Sequence, residues 1–202
     1  MKKLMISVIL TLLSVMMVSI GVSAATSHRV ESGDSMWKIA VKYEVGLSEI
    51  IKANPHILNP ELIYPGQLIT IPTIDSNILN NEKEVVRLVN EIRVQNGLKS
   101  LTEDWELSRV ARIKSQDMKD NNYFSHTSPV YGTPFQMIKN FGISYRSAGE
   151  NIAKGQSTPQ SVVNSWMNSS GHRANILNPS YTHIGVGYVA SGKYWTQMFI
   201  SK

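Results

Sequence analysis

Three residues of types that can do chemistry stand in three separate stretches of the chain. His126 lies in "YFSHTSP", Glu150 in "SAGENIAKG", and His172 in "SSGHRANILNPSY". A carboxylate and two imidazoles brought together from distant segments can hold a divalent cation or move protons as a general acid–base set. Spacing alone does not make them converge. Taken singly, a glutamate before an asparagine can cap a turn, and a histidine can be a hydrogen-bonded core residue. His183 opens "THIGVGYVA" eleven residues after His172; it is expected to be structural or exposed rather than part of the set.

Other chemistries are excluded by what the chain lacks. It has no cysteine, which removes thiol nucleophiles and disulfide staples alike. It has no H-E-x-x-H helix and no G-x-S-x-G elbow. The two glycines of "GVG" precede a strand rather than a helix, so they suit close packing and not a phosphate cradle. The formal net charge is +5. From Glu82 onward there are fourteen basic and nine acidic residues. That excess suits an anionic surface but is too small and too scattered for nucleic acid.

The elements that must position these residues fall into two modules. Residues 1–24 carry Lys2 and Lys3, an apolar run and Val22-Ser23-Ala24, the pattern of a secretory signal peptide. No second apolar run of that length follows, so the mature chain has no expected transmembrane segment. Residues 28–72 predict strand, helix, helix, strand. "HRVES" alternates, Asp34 or Ser35 caps a first helix, Ser48 caps a second that ends at Asn54-Pro55, and a Pro65-Gly66 turn leads into "LITIP". Residues 73–81 are polar and Asn-rich and are expected to be a linker. Residues 82–202 predict helices carrying Val85, Leu88, Val89 and Ile92; then Leu107, Val110, Ala111 and Met118; then short helices opened by Thr133-Pro134 and Thr158-Pro159. "ENIA" is expected to be a strand, and "THIGVGYVA" and "KYWTQMFIS" a hairpin. The segment holding Arg173, Asn175 and Asn178-Pro179 is expected to be loop. The class is α+β.

Two family resemblances sharpen this. "V-x-x-G-D-S-M-W-x-I-A", "A-N-P" and "I-Y-P-G-Q-x-I-x-I-P" resemble a LysM module along its whole length. The resemblance implies a small βααβ fold that binds N-acetylglucosamine glycan, peptidoglycan or chitin-like. Carried over, it implies contacts from Gly33, Asp34, Ser35 and Met36 on one side of a groove and Ile57, Leu62 and Ile63 on the other. "VNEIR-x-x-x-G-L", "YFSHTSP", "AGENIA", "W-M-x-S-x-GHR-x-N-I-L" and "IGVGY…YWTQMF" resemble a bacterial CAP (SCP/PR-1-like) domain. That implies an α–β–α sandwich with a cavity of two histidines and two glutamates, a site for zinc or another divalent cation in some members. His126, Glu150 and His172 match three of the four positions. The fourth falls on Ser169, beside Asn168, so one anion is missing and zinc or another divalent cation is expected to bind weakly. Asn90 stands where the resemblance implies a histidine in many eukaryotic relatives.

Together these imply a secreted protein of the cell wall or spore envelope. LysM would hold it on glycan, and the CAP cavity would take a ligand or metal. Two other readings stay open: a peptidoglycan-acting hydrolase using Glu150 and a His-bound metal, and an envelope assembly protein targeted by LysM. Whether the chain is an enzyme is left undecided at this level.

Overall fold

A computed structural model describes residues 26–202; the signal peptide expected at 1–24 lies outside the described residues. The first module is β1 (Thr26–Arg29), α1 (Met36–Lys42), α2 (Leu47–Ala53) and β2 (Leu68–Ile71), with β1 and β2 antiparallel. Ser35 caps α1 by accepting from the Lys38 N–H. The N-cap of α2 is Gly46, not the expected Ser48, whose hydroxyl instead donates to Glu49. The two helices close over Val30, Met36, Ile39, Ile50, Ile69 and Ile71. Asn54 does more than end α2. Buried, it donates to Ile50 O and Thr70 O and accepts from Thr70 N, stitching α2 to β2.

The second module starts earlier than its composition suggests. Helix α3 runs over Ser76–Gln95, capped by Asp75, so most of the expected 73–81 linker is helical. Asparagines are weak helix formers, but Ile78 carries the apolar stripe of Val85 and Val89 two turns further and packs on the same core. Then follow β3 (Thr102–Glu103), α4 (Trp105–Asp120), α5 (Pro134–Asn140), β4 (Ser147–Lys154), α6 (Pro159–Met167), α7 (Ser170–Ile176), β5 (His183–Val189) and β6 (Tyr194–Ser201). The sheet order is β3-β5-β6-β4, antiparallel except for the β3–β5 pair.

Strand β6 is buried at every residue, because both faces of the sheet are covered. Trp195 and Phe199 pack with Val85, Val89, Val163 and Trp166 of α3 and α6. Met198 and Ile200 pack with Leu107, Val110 and Met137 of α4 and α5. Helix α4 rides directly on β5. A Cβ on Gly185 would fall 2.4 Å from the backbone of Leu107 and Ser108, and one on Gly187 would fall 2.1 Å from Arg112 N. The "GVG" glycines therefore serve close packing, as expected.

The segment expected as loop around Arg173 and Asn175 is helix α7. It has no side-chain N-cap. Its far end is held by buried Arg93, which donates to Ile176 O and Asn178 O. Tertiary contacts supply what local sequence does not.

Candidate functional site

The site sits where β4 forms the edge of the sheet. An edge strand leaves backbone groups unpaired, and these must be covered. Here the outward carbonyls of Glu150 and Ile152 accept from the Asn175 amide (3.2 Å) and the Trp166 indole (3.3 Å). The tryptophan and asparagine of the "W…GHR-x-N" stretch thus dock α6 and α7 on β4. Gly149 makes room for this, since a Cβ there would fall 2.5 Å from the Tyr181 hydroxyl.

Alternation along β4 sends neighbouring side chains to opposite faces. Asn151 points toward α7: it donates to His172 O and to Gln197 Oε1, and accepts from Asn175. Glu150 points toward α4. Its Oε1 lies 2.8 Å from His126 Nδ1, and its side chain is 1 % exposed against 53 % for His126. Its second oxygen, Oε2, is buried without a partner. Burial pushes the Glu150 carboxyl above its ordinary range, against the pull of His126 and Lys114. The result is a buried carboxyl disposed to hold a proton beneath a solvent-reachable imidazole.

The structure adds groups the motifs do not mark. Lys114 of α4 is fully buried and donates to the Tyr123 hydroxyl and to Ser125 O, both at 2.9 Å. The second bond fixes the residue next to His126. Tyr123 in turn donates to Asp117, which also accepts from Ser128 (2.7 Å) and Asn121 (2.7 Å). The sequence does hold a sign of this. Leu107, Ala111, Lys114 and Met118 share one helical stripe, and a lysine on an apolar stripe needs a partner.

His126 and Glu150 are brought into contact, and His172 stands on α7, with its backbone carbonyl bound by Asn151 of β4. Burial pushes His172 down, and the charge of His126 adds to that shift. Ser169 is the N-cap of α7 and Asn168 the C-cap of α6, so no carboxylate stands at the fourth position. His183 belongs elsewhere: its Nδ1 bonds Thr182 Oγ1 at the start of β5. Asn90 is structural, exchanging two bonds with the Leu101 backbone.

As a metal cage the residues do not fit. Among the described residues, no group of three or more His, Asp or Glu side chains is arranged to hold a metal ion. With His126 Nδ1 on Glu150, the carboxylate orients the imidazole instead of standing as an independent ligand. Two imidazoles then remain, against the roughly four ligands of a zinc site.

In the first module the expected groove residues divide. Gly33 is exposed, Asp34, Ser35 and Ile63 are half-buried, and Leu62 is 53 % exposed. Met36 and Ile57 are in the core, so they support the loops from behind. Leu58, which the motif does not single out, is 96 % exposed. The loop before α1 is held from below. His28 is buried, its Nε2 is 2.8 Å from Asp34 Oδ2 and its Nδ1 is 3.2 Å from the Tyr43 hydroxyl. Gly33 takes a φ of 88°, which favours glycine.

Comparison with known proteins agrees with this architecture. The family model "CAP: Cysteine-rich secretory protein family" matches residues 86–199, and the LysM domain model matches 28–72. The uncharacterized protein YkwD of Bacillus subtilis is 62 % identical over 133 residues, 66 % of this chain and 52 % of that one. The spore coat assembly protein ExsA of Bacillus cereus is 46 % identical over 46 residues, 23 % of this chain and 7 % of that one. The crystal structure of an extracellular protein containing a SCP domain from Bacillus anthracis superposes with a TM-score of 0.60 at 38 % identity, covering 68 % of this chain and 47 % of that one. This chain spans about half the length of the YkwD and Bacillus anthracis proteins it matches.

Proposed function

Because the chain belongs to the cysteine-rich secretory protein (CAP) family and also carries a LysM domain, we propose that it is an extracellular, cell-wall-associated protein that grips peptidoglycan and presents the His126–Glu150 pair as a polar ligand cavity. The observation that carries the first half is the groove surface of the LysM module. Leu58 and Leu62 stand exposed, and a loop of backbone amides is pinned by Asp34, whose carboxylate also accepts from Glu31 N. Apolar side chains suit the methyl and ring faces of N-acetylglucosamine, and backbone groups suit its amide and hydroxyls. No described helix is long and apolar enough to cross a membrane.

The cavity half rests on Glu150. Glu150 Oε2 is closed to solvent, so the exposed His126 imidazole is the group a ligand would meet, and it suits a ligand that carries a hydrogen-bonding group. A divalent cation would be held weakly, since it finds two imidazoles and no free carboxylate. Calorimetry with an N-acetylglucosamine oligomer and, separately, with zinc tests both halves. The expected outcome is glycan heat abolished by Leu62→Asp, and zinc heat weak in wild type and lost in His172→Ala. Tight zinc binding would overturn the cavity reading.

One observation favours a hydrolase as the second reading: a carboxyl that burial holds toward its protonated form can donate a proton to a leaving group. It lacks the second carboxylate that glycosidases use. Asp117, the other acid in the network, is occupied by Tyr123, Ser128 and Asn121. A spore-envelope role rests on the LysM likeness to ExsA alone.

A further inference from the structure

The two modules meet around Arg109. From α4, its Nε and Nη2 donate to Glu49 Oε1 and Oε2 of α2, each at 2.7 Å, and Nη2 also reaches Ser48 Oγ at 3.1 Å. The guanidinium lies 5.2 Å from the centre of the Phe141 ring, which holds it from within its own module. Arg109 is 18 % exposed and Glu49 38 %. Beside the fork, Val45, Pro72 and Ile74 line a cleft closed by Arg112 and Ile113.

Gly46 shows that this contact is built. Its φ of −72° and ψ of 146° are open to any residue, so conformation does not call for glycine. A Cβ there would fall 2.0 Å from Glu49 Oε2 and 2.1 Å from Arg109 Nε. Both atoms are movable side-chain ends, so a methyl group would push the fork away and leave the backbone in place.

An exposed ion pair contributes little, and modules joined by a flexible tether normally swing. Two features decide against swinging here. The pair is two-pronged and half-buried, which strengthens it and fixes its direction. The connector between β2 and α3 is just Pro72 to Asp75, four residues that span at most about 14 Å. A tether that short keeps the local concentration of each partner high, so a modest contact stays closed. None of the groove residues from Gly33 to Met36 or from Ile57 to Ile63 lines this cleft.

We propose that Gly46, Glu49 and Arg109 form a fixed joint that makes the two modules move as one body, holding the LysM groove in one orientation relative to the His126–Glu150 pair. The consequence for glycan rests on the function proposed above; the joint itself does not.

The lack of native cysteine makes a direct test straightforward. Spin labels at Lys52→Cys and Lys99→Cys, both exposed positions on separate modules, report the distance between them by pulsed electron resonance in the full chain. One narrow distance distribution is expected, lost to a broad one in Arg109→Ala and in Gly46→Ala, with Arg109→Lys also broadened because it cannot fork. Circular dichroism melts of all three variants check that the modules stay folded. A broad distribution in the parent chain overturns the joint, as do narrow ones in both alanine variants. A narrow parent distribution with no glycan heat leaves the joint standing and sinks the glycan reading alone.

Discussion

Glu150 carries a cost that its position explains. With one oxygen on His126 and the other buried without a partner, its charged form is disfavoured. A carboxyl whose folded pKa is raised binds protons more tightly in the folded state. Its contribution is therefore fully present at low pH and is lost as pH rises from the unfolded value, near 4.5, through the raised one. Glu150→Gln should melt above wild type at about pH 8, with the gap closing toward about pH 4; a variant less stable at both would mean the carboxylate is a stabilising group. Asn175 tests the docking of α7. Asn175→Ala strands Glu150 O and removes a bond to Asn151, and should cost about 1–3 kcal/mol in urea unfolding. At this scale the sequence marks His126, Glu150 and His172 through their motifs alone. Lys114 goes unread because a helical lysine is ordinarily on a solvated face. Its burial follows from where α4 lies, against β5 and the loop before His126.

Elements whose ends are decided locally are legible, and those decided by packing are not. Thr133-Pro134 and Thr158-Pro159 open α5 and α6 with capping boxes, and Ser191-Gly192 turns the β5–β6 hairpin. By contrast, α7 holds a glycine, has no side-chain cap, and depends on Arg93 and Asn175 from outside. The first turns of α3 hide in an Asn-rich run and depend on Ile78 finding the core. The α3–α4–β5 layer also carries a pH signature. Glu82 is buried, accepts from Arg112 and Tyr188 N, and burial pushes its pKa up to about 7. Stability from this group is complete below about 4.5 and falls as pH rises to about 7, by about 3 kcal/mol at 1.36 kcal/mol per unit. Urea midpoints taken across that range should fall less steeply in Glu82→Gln than in wild type; parallel curves would show that Arg112 already cancels the burial cost.

At the scale of the whole molecule, the two modules divide the labour of the proposed function. In the function proposed above, the LysM module attaches the chain to glycan, the CAP module presents the His126–Glu150 pair, and the proposed joint holds the two in one relation. Co-sedimentation of the full chain with purified peptidoglycan tests this most directly. Wild type should pellet. Leu58→Asp/Leu62→Asp should stay in the supernatant, because two charges on the groove surface cannot meet the apolar face of a sugar. His126→Ala/Glu150→Gln should pellet as wild type does. Pelleting that survives the groove substitutions and is lost with the cavity pair would contradict the account and move glycan recognition to the CAP module.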